Sequence, residues 1–215
     1  MQGDPRRGLN PFEKAQHKLL RLVGRHHKYA YQMIEQISNM NQGIYLERKG
    51  VSQEELQKKQ PSNFCIGVVG DPNYNTIIDP KKLENEASFL KAKQDAGAEF
   101  VICQMVFSPE DQLKYIGAAK AQGVTIPFLT GIYVPFSYKN ALRIRGDIDS
   151  IRIPFLEEIE TLSSEDQKKA IYDNILKTCI ELKQSENVAG IHLFTMNKKK
   201  RANQIIELIK AIQKA

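Results

Sequence analysis

A single glutamine, Gln104, stands where a short apolar strand is predicted to end. Gly97 marks the end of the preceding helix, and the β-branched run at 100–104 predicts a strand covered on both faces. Ligands of α/β folds bind at the carboxyl ends of strands. The amide of Gln104, which we expect to be buried, both donates and accepts hydrogen bonds and is therefore a candidate ligand contact. Bonding to the backbone of a neighbouring strand is the alternative.

Four further side chains have types and positions that suit a ligand. Asp4 lies beside a glycine, where a carboxylate stabilises a nearby cation or caps a turn. Lys93, on a predicted helix, is either a point charge for a pyrophosphate or a solvated lysine. Tyr138 follows a strand-to-helix turn and either stacks on an aromatic ligand or packs. Lys198 opens the basic run 198–201, which suits phosphate or a solvated helix start.

The elements that must position these residues alternate between strand and helix. Four short apolar runs predict strands, at 64–69, 100–104, 126–130 and 190–194. Helical periodicity, with N-cap signals before three of the segments, predicts helices over 81–96, 108–122, 137–145, 163–184 and 202–215. This alternation predicts a parallel sheet built from right-handed crossovers, which is the α/β class.

The first sixty residues have a different character. Two amphipathic segments, at 11–23 and 27–39, predict helices, and a polar stretch at 40–62 is typical of an exposed insertion with a short helix inside it. We therefore expect a helical N-terminal segment at 1–62 and an α/β unit at 63–215.

Composition narrows the function classes. The chain has 215 residues and a net charge of +6, with most of the excess in residues 1–63. Neither aromatic interleaving nor a recognised motif supports nucleic-acid binding. There is no apolar run long enough to span a membrane, and the polar N-terminus does not match a signal peptide. The three cysteines lack metal-ligand spacing, which favours core thiols in a reducing, cytoplasmic setting and no metal site.

Short motifs in a shared order resemble the methylenetetrahydrofolate reductase family, which are flavin enzymes on a (β/α)8 barrel. The motifs are Gly3-Asp4-Pro5, Tyr29-Ala30, Lys93 with the turn at 95–98, Gln104, the segment 127–132 followed by Tyr138, Arg152-Ile153-Pro154, and the segment 192–198. They correspond to the second half of the barrel, from the tip of strand four to strand eight. The resemblance therefore implies a partial (β/α)8 barrel of about four parallel strands, preceded by helices.

The resemblance also implies roles for these residues. It implies hydride transfer from NAD(P)H through FAD to 5,10-methylenetetrahydrofolate, giving 5-methyltetrahydrofolate. Asp4 is then the catalytic electrostatic residue, and Gln104 and Tyr138 contact the folate. The FAD contacts that it implies are Gly3, Tyr29, Ala30, Lys93, Phe194 and Lys198.

An alternative is a non-catalytic fragment or partner subunit of such an enzyme. The family's general-acid glutamate belongs to strand one and has no counterpart here. Several positions also depart from the family pattern, namely Asp71, Glu86, Phe89, Ala92 and Phe194. Because a half barrel leaves its inward side chains without partners, we expect the chain to form a homo-oligomer or to pair with a chain that carries strands one to four.

Overall fold

A four-stranded parallel sheet is the central element of the computed structural model, which describes residues 27, 29–45, 52, 54–55, 60–135, 137–147, 151–195 and 202–214. The strands are β1 (Gly67–Gly70), β2 (Phe100–Met105), β3 (Phe128–Tyr133) and β4 (Gly190–Phe194). Their order in the sheet is the order in the sequence, and every neighbouring pair is parallel. The prediction of an α/β partial barrel is confirmed.

Helices separate the strands. They are α1 (Ala30–Asn41), α2 (Tyr74–Ile78), α3 (Pro80–Asp95), α4 (Pro109–Ala121), α5 (Tyr138–Asp147), α6 (Ser164–Lys183) and α7 (Ala202–Lys214), with a 3-10 turn at Pro154–Leu156. Among the described residues, side-chain oxygens cap five of them, because Asn73, Asp79, Ser108, Ser137 and Ser163 accept from backbone N–H groups of the first turns. Among the described helices, none is both long and apolar enough to cross a membrane.

The chain divides into two compact units. The first, here the helical unit, comprises Met1–Ile66 and Ala92–Ala98, and the second, here the sheet unit, comprises Gly67–Lys91 and Glu99–Ala215. In the helical unit, the Asn41 side chain accepts from the Phe64 N–H and donates to the Phe64 carbonyl, at 2.9 and 2.8 Å. Gly97, with φ of 110°, ends α3 in the left-handed region that glycine tolerates.

The core of the sheet unit lies between the sheet and its helices. Val101 and Cys103 of β2 are fully buried, as is Phe128 of β3, which meets the ring of Tyr115 edge-on at 6.5 Å. Leu90, Ile116, Ile175 and Leu182 supply the helical side of this core. Burial of such side chains provides most of the folding free energy.

Several strand boundaries differ from the prediction. β1 begins at Gly67 rather than at 64, because the backbone of Phe64 is bonded to Asn41 and its side chain is 53% exposed. β3 runs from Phe128 to Tyr133 rather than from 126 to 130, and β4 pairs with it as far as Tyr133. The short helix α2 was not predicted. The predicted helix at 11–23 lies outside the described residues.

Because of two buried thiols, we expect the stability of the fold to change with pH in the alkaline range. Burial raises the pKa of Cys103 from its ordinary 9.0 to about 12, and that of Cys179 from 9.0 to about 12. The unfolded chain therefore loses these protons first, so the stability that they contribute is complete below about pH 9 and is lost as the pH rises towards about 12.

We expect the free energy of unfolding, measured in urea, to fall across that alkaline range, and to fall less steeply in the double variant C103A/C179A. The control is Cys65→Ala, whose thiol is exposed and whose slope should match that of the unsubstituted chain. Equal slopes in all three proteins would contradict the assignment.

Candidate functional site

The sheet has one face against its helices and one turned away from them, here called the inner face. In β2, Val101 and Cys103 are buried, and Gln112 of α4 donates to the Cys103 sulfur at 3.2 Å. Because side chains alternate along a strand, Ile102 and Gln104 lie on the inner face. The side chain of Gln104 was predicted to be buried. It is exposed instead, because it lies on the face of β2 that is turned away from the helices. An exposed amide is available to a ligand.

A bulge in β2 sets the position of Gln104. Ile102 pairs with Leu129, but the next paired residue of β2 is Met105, opposite Gly131. Between these two pairs, β2 therefore advances by three residues and β3 by only two. Gln104 lies within this bulge. Bulges re-aim side chains and are common beside active sites.

Gly131 of β3 lies in close contact with both neighbouring strands. A Cβ built there would overlap the Cys103 carbonyl oxygen, and would lie 2.9 Å from the carbonyl carbon of Gln104 and 2.6 Å from Cε2 of Phe194. Only glycine fits at this point without a shift of its neighbours. The structure therefore brings Gln104 and Phe194 to opposite sides of Gly131.

An aromatic pair on β4 borders the same place. The rings of His192 and Phe194 meet edge-on, with centroids 4.8 Å apart, and both side chains are half-buried. His192 pairs in register with Gly131. The predicted cofactor contact Phe194 thus presents ring surface next to the glycine.

Tyr138 follows the carboxyl end of β3, and a hydrogen bond from the last residue of β3 holds the helix on which it lies. It is the first residue of α5 and is half-buried. The hydroxyl of Tyr133, the last residue of β3, hydrogen-bonds to the Asn140 side-chain oxygen at 3.0 Å, and Ser137 accepts from the Asn140 N–H. These bonds fix the strand-to-helix turn from which Tyr138 projects.

Three predicted cofactor contacts lie in the helical unit. Tyr29 precedes α1, and its ring stacks on Tyr31 with centroids 5.5 Å apart and planes 11° apart. Ala30, the first residue of α1, is exposed. Lys93 is half-buried near the end of α3, where its carbonyl accepts from the Ala98 N–H at 3.1 Å.

The other predicted site residues, Gly3, Asp4 and Lys198, lie outside the described residues. Within the described ranges, His, Cys, Asp and Glu side chains do not gather in the groups of three that a metal ion would need.

Sequence reasoning missed an ion pair behind the site. Arg152 donates to both carboxylate oxygens of Asp111, at 2.9 and 3.1 Å, and to the Ser108 hydroxyl at 3.2 Å. Ser108 caps α4 three residues after β2 ends, so this bidentate contact holds the chain segment that follows Gln104. The Arg152-Ile153-Pro154 motif was noticed in the sequence, but its partner Asp111 lies 41 positions away, so the pairing has no local signal.

A second missed contact fixes the end of β1. The Tyr115 side chain is buried, and its hydroxyl accepts from the Asp71 N–H at 3.2 Å and lies 3.4 Å from a Glu86 carboxylate oxygen. Burial, followed by the negative charge of Glu86, raises the pKa of Tyr115 well above 10.0, so it stays a neutral hydroxyl. Asp71 and Glu86 are two of the positions that depart from the family pattern.

The arrangement on the inner face suits a flat, hydrogen-bonding ring. Gln104 offers one donor and one acceptor group, Phe194 offers an aromatic surface, and Gly131 removes the side chain between them. Such a combination recognises the edge and face of a heterocycle.

Comparison with known proteins then decides the family. The family model described as methylenetetrahydrofolate reductase matches residues 2–210, nearly the whole chain. The chain belongs to the methylenetetrahydrofolate reductase family.

Named relatives in several organisms agree with this assignment. Methylenetetrahydrofolate reductase 2 of Saccharomyces cerevisiae is 30% identical, covering 71% of this chain and 26% of the relative. A probable methylenetetrahydrofolate reductase (NADPH) of Caenorhabditis elegans is 29% identical, covering 73% of this chain and 23% of the relative. The 5,10-methylenetetrahydrofolate reductase of Escherichia coli is 25% identical, covering 65% of this chain and 47% of the relative.

The chain therefore spans about a quarter of the eukaryotic relatives and about half of the bacterial one. A solved structure of an uncharacterized protein from Clostridium thermocellum, titled as binding two copies of 5-methyl-5,6,7,8-tetrahydrofolic acid, aligns at 19% identity over 68% of this chain and 52% of that chain. Its TM-score of 0.43 is too low to inform the fold or the site.

The close approach at Gly131 can be tested by substitution. We expect Gly131→Ala to lower the free energy of unfolding by about 1–3 kcal/mol, since the added methyl meets backbone atoms that cannot turn aside. The matched control is Gly117→Ala within α4, where an added Cβ meets nothing within 4 Å. That variant should gain about 0.5–1 kcal/mol from helix propensity. Urea unfolding of both measures the difference, and equal effects would refute the close contact.

Proposed function

We propose that this chain takes part in the reduction of 5,10-methylenetetrahydrofolate to 5-methyltetrahydrofolate, with FAD as cofactor and NAD(P)H as co-substrate. Membership of the family supports the reaction. The observation that carries the site is the juxtaposition of Gln104 and Phe194 across Gly131 on the inner face.

In this proposal the folate is bound by Gln104 and Tyr138. The exposed amide of Gln104 pairs with the donor and acceptor edge of the pterin ring. Tyr138 stacks on an aromatic part of the substrate from the start of α5. Asp4 stabilises positive charge that develops on the substrate, a role that rests on the family resemblance.

A second group of residues is proposed to contact the flavin. The side chains present fit the group in part: Phe194 offers a ring surface, and Lys93 offers a cation for the pyrophosphate. Tyr29 and Ala30 lie at the exposed start of α1, and Gly3 and Lys198 complete the proposed set. When bound, FAD supplies the hydride carrier between NAD(P)H and the folate.

One observation favours the alternative of a non-catalytic subunit. On α3, Glu86 faces the Tyr115 hydroxyl, Phe89 has an apolar ring that is 46% exposed, and Ala92 has no polar atom in its side chain. The resemblance implies that the family has Asp, Asn and Arg at these three positions. Fewer polar contacts to FAD are therefore available here, and weak or absent flavin binding would support this second function.

We also propose a cellular location and an assembly state for the protein. We place the protein in the cytoplasm, since its cysteines form no disulfide among the described residues. We also expect it to work as part of an oligomer or with a complementing half-barrel chain, because the inner face carries exposed apolar side chains such as Val69.

A single substitution tests the folate site. Gln104→Leu should weaken the binding of 5-methyltetrahydrofolate by about tenfold or more, because lost hydrogen bonds to a buried ring edge cost about 1–3 kcal/mol. Binding of FAD, followed by its absorbance, should be unchanged. Calorimetric titration with each ligand gives both affinities.

The control for that experiment is Gln122→Leu at the exposed end of α4, which should bind folate as the unsubstituted chain does. Folate binding that survives Gln104→Leu would refute the assigned contact. An unsubstituted chain that binds neither ligand would favour the non-catalytic alternative.

A further inference from the structure

His192 of β4 carries an imidazole to which the proposed reaction gives no role. The residues on either side of it, Ile191 and Leu193, line a groove against α7 and therefore face the helices. Because side chains alternate along a strand, His192 lies on the inner face, together with Phe194. A titratable ring thus stands on the face that carries the proposed folate site.

The strand register places His192 at the level of that site. His192 pairs with Gly131 of β3. On its other side, Gly131 pairs with Met105 of β2, which directly follows Gln104. Neighbouring strands lie about 4.8 Å apart, so the backbones of β2 and β4 lie roughly 10 Å apart on either side of the glycine. Because Gly131 has no side chain, a flat ring lying over it can contact both His192 and Gln104.

The ring nitrogens of His192 are available to a ligand. Among the described residues, the imidazole contacts the ring of Phe194 and makes no hydrogen bond. The buried side-chain nitrogen and oxygen atoms that lack a partner in this part of the chain are Gln112 Oε1 and Thr130 Oγ1, so both nitrogens of His192 reach solvent. An imidazole in this state can bond to a ligand without giving up a hydrogen bond within the protein.

The contact with Phe194 sets the orientation of the imidazole. The centroids of the two rings are 4.8 Å apart, and their planes meet at 83°. A heterocycle stacked on Phe194 therefore lies nearly perpendicular to the imidazole, and two rings at right angles do not stack. The polar contact open to His192 in that pose is a hydrogen bond through one of its ring nitrogens.

We propose that His192 is a further substrate contact, whose imidazole hydrogen-bonds to a nitrogen or oxygen atom of the pterin ring. This inference rests on the proposed folate site and adds a residue to it. A pterin carries hydrogen-bonding atoms on both of its fused rings, so Gln104 and His192 hold different atoms of one ligand while Phe194 supports its face. Because a ring without such atoms would leave both side chains unpaired, His192 also helps to select a nitrogen heterocycle.

Three substitutions separate hydrogen bonding from packing. His192→Phe keeps an aromatic ring beside Phe194 and removes both nitrogens, and we expect it to weaken the binding of 5-methyltetrahydrofolate about tenfold. His192→Asn and His192→Gln each keep a hydrogen-bonding amide, at a shorter and a longer reach. We expect at least one of them to bind within about threefold of the unsubstituted chain. Calorimetric titration gives the affinities.

The matched control is His27→Phe. A ring nitrogen of His27 is already bonded to the Gln36 side-chain oxygen, at 2.7 Å. This substitution therefore removes an imidazole that is engaged within the protein, and we expect it to leave the affinity for folate unchanged.

Nuclear magnetic resonance of the unsubstituted chain tests the contact without relying on the stability of a variant. The ring-nitrogen signals of His192 should shift when 5-methyltetrahydrofolate is added, because a new hydrogen bond forms at one of them. The signals of His27 should not move. Unmoved signals of His192, unchanged affinity in His192→Phe, or equal weakening in all three His192 variants would each overturn the inference and leave the folate site standing. A chain that binds no folate would overturn the proposed function and this inference together.

Discussion

The close approach of β2 and β3 at Gly131 is the constraint on which the site depends. A glycine there allows the carbonyl of Cys103 and the ring of Phe194 to share space that any side chain would fill. Opposite it lies the bulge in β2, which contains Gln104, and the side chain of Gln104 is exposed on the inner face. The Arg152–Asp111 pair and the Tyr133–Asn140 bond then hold the segments that follow these two strands. The amide and the ring are thus positioned by backbone packing, to which the ring adds its edge-on contact with His192.

Much of the fold could be predicted because short apolar runs between helical segments are compatible with few structures other than strands. All four strands and the helices α3 to α7 were expected within a few residues of their observed bounds. The alternation of strands and helices along the chain also predicted that the sheet is parallel. Strand ends were less predictable, since the predicted strand at 126–130 stops before Gly131, which in the structure lies inside β3 at a point of tight packing. Residue types alone do not distinguish a glycine that ends a strand from one that is packed inside it.

The details of the site depend on contacts between residues far apart in the sequence. Arg152 and Asp111 are 41 positions apart, and Tyr115 meets the Asp71 backbone across 44 positions. Neither pairing has a local signal. The exposure of Gln104 was mispredicted because the sequence alone does not show which face of β2 the helices cover. The candidate residues themselves come from the order of the motifs; the match over residues 2–210 shows the family, and the roles of these residues stay predictions.

We propose that the inner face beside Gly131 binds the ring of a folate. A crystal structure of the chain with 5-methyltetrahydrofolate tests this most directly. We predict the pterin ring within hydrogen-bonding distance of the Gln104 amide and in contact with the Phe194 ring. A folate bound elsewhere on the chain, with Gln104 facing only solvent, would contradict the claim.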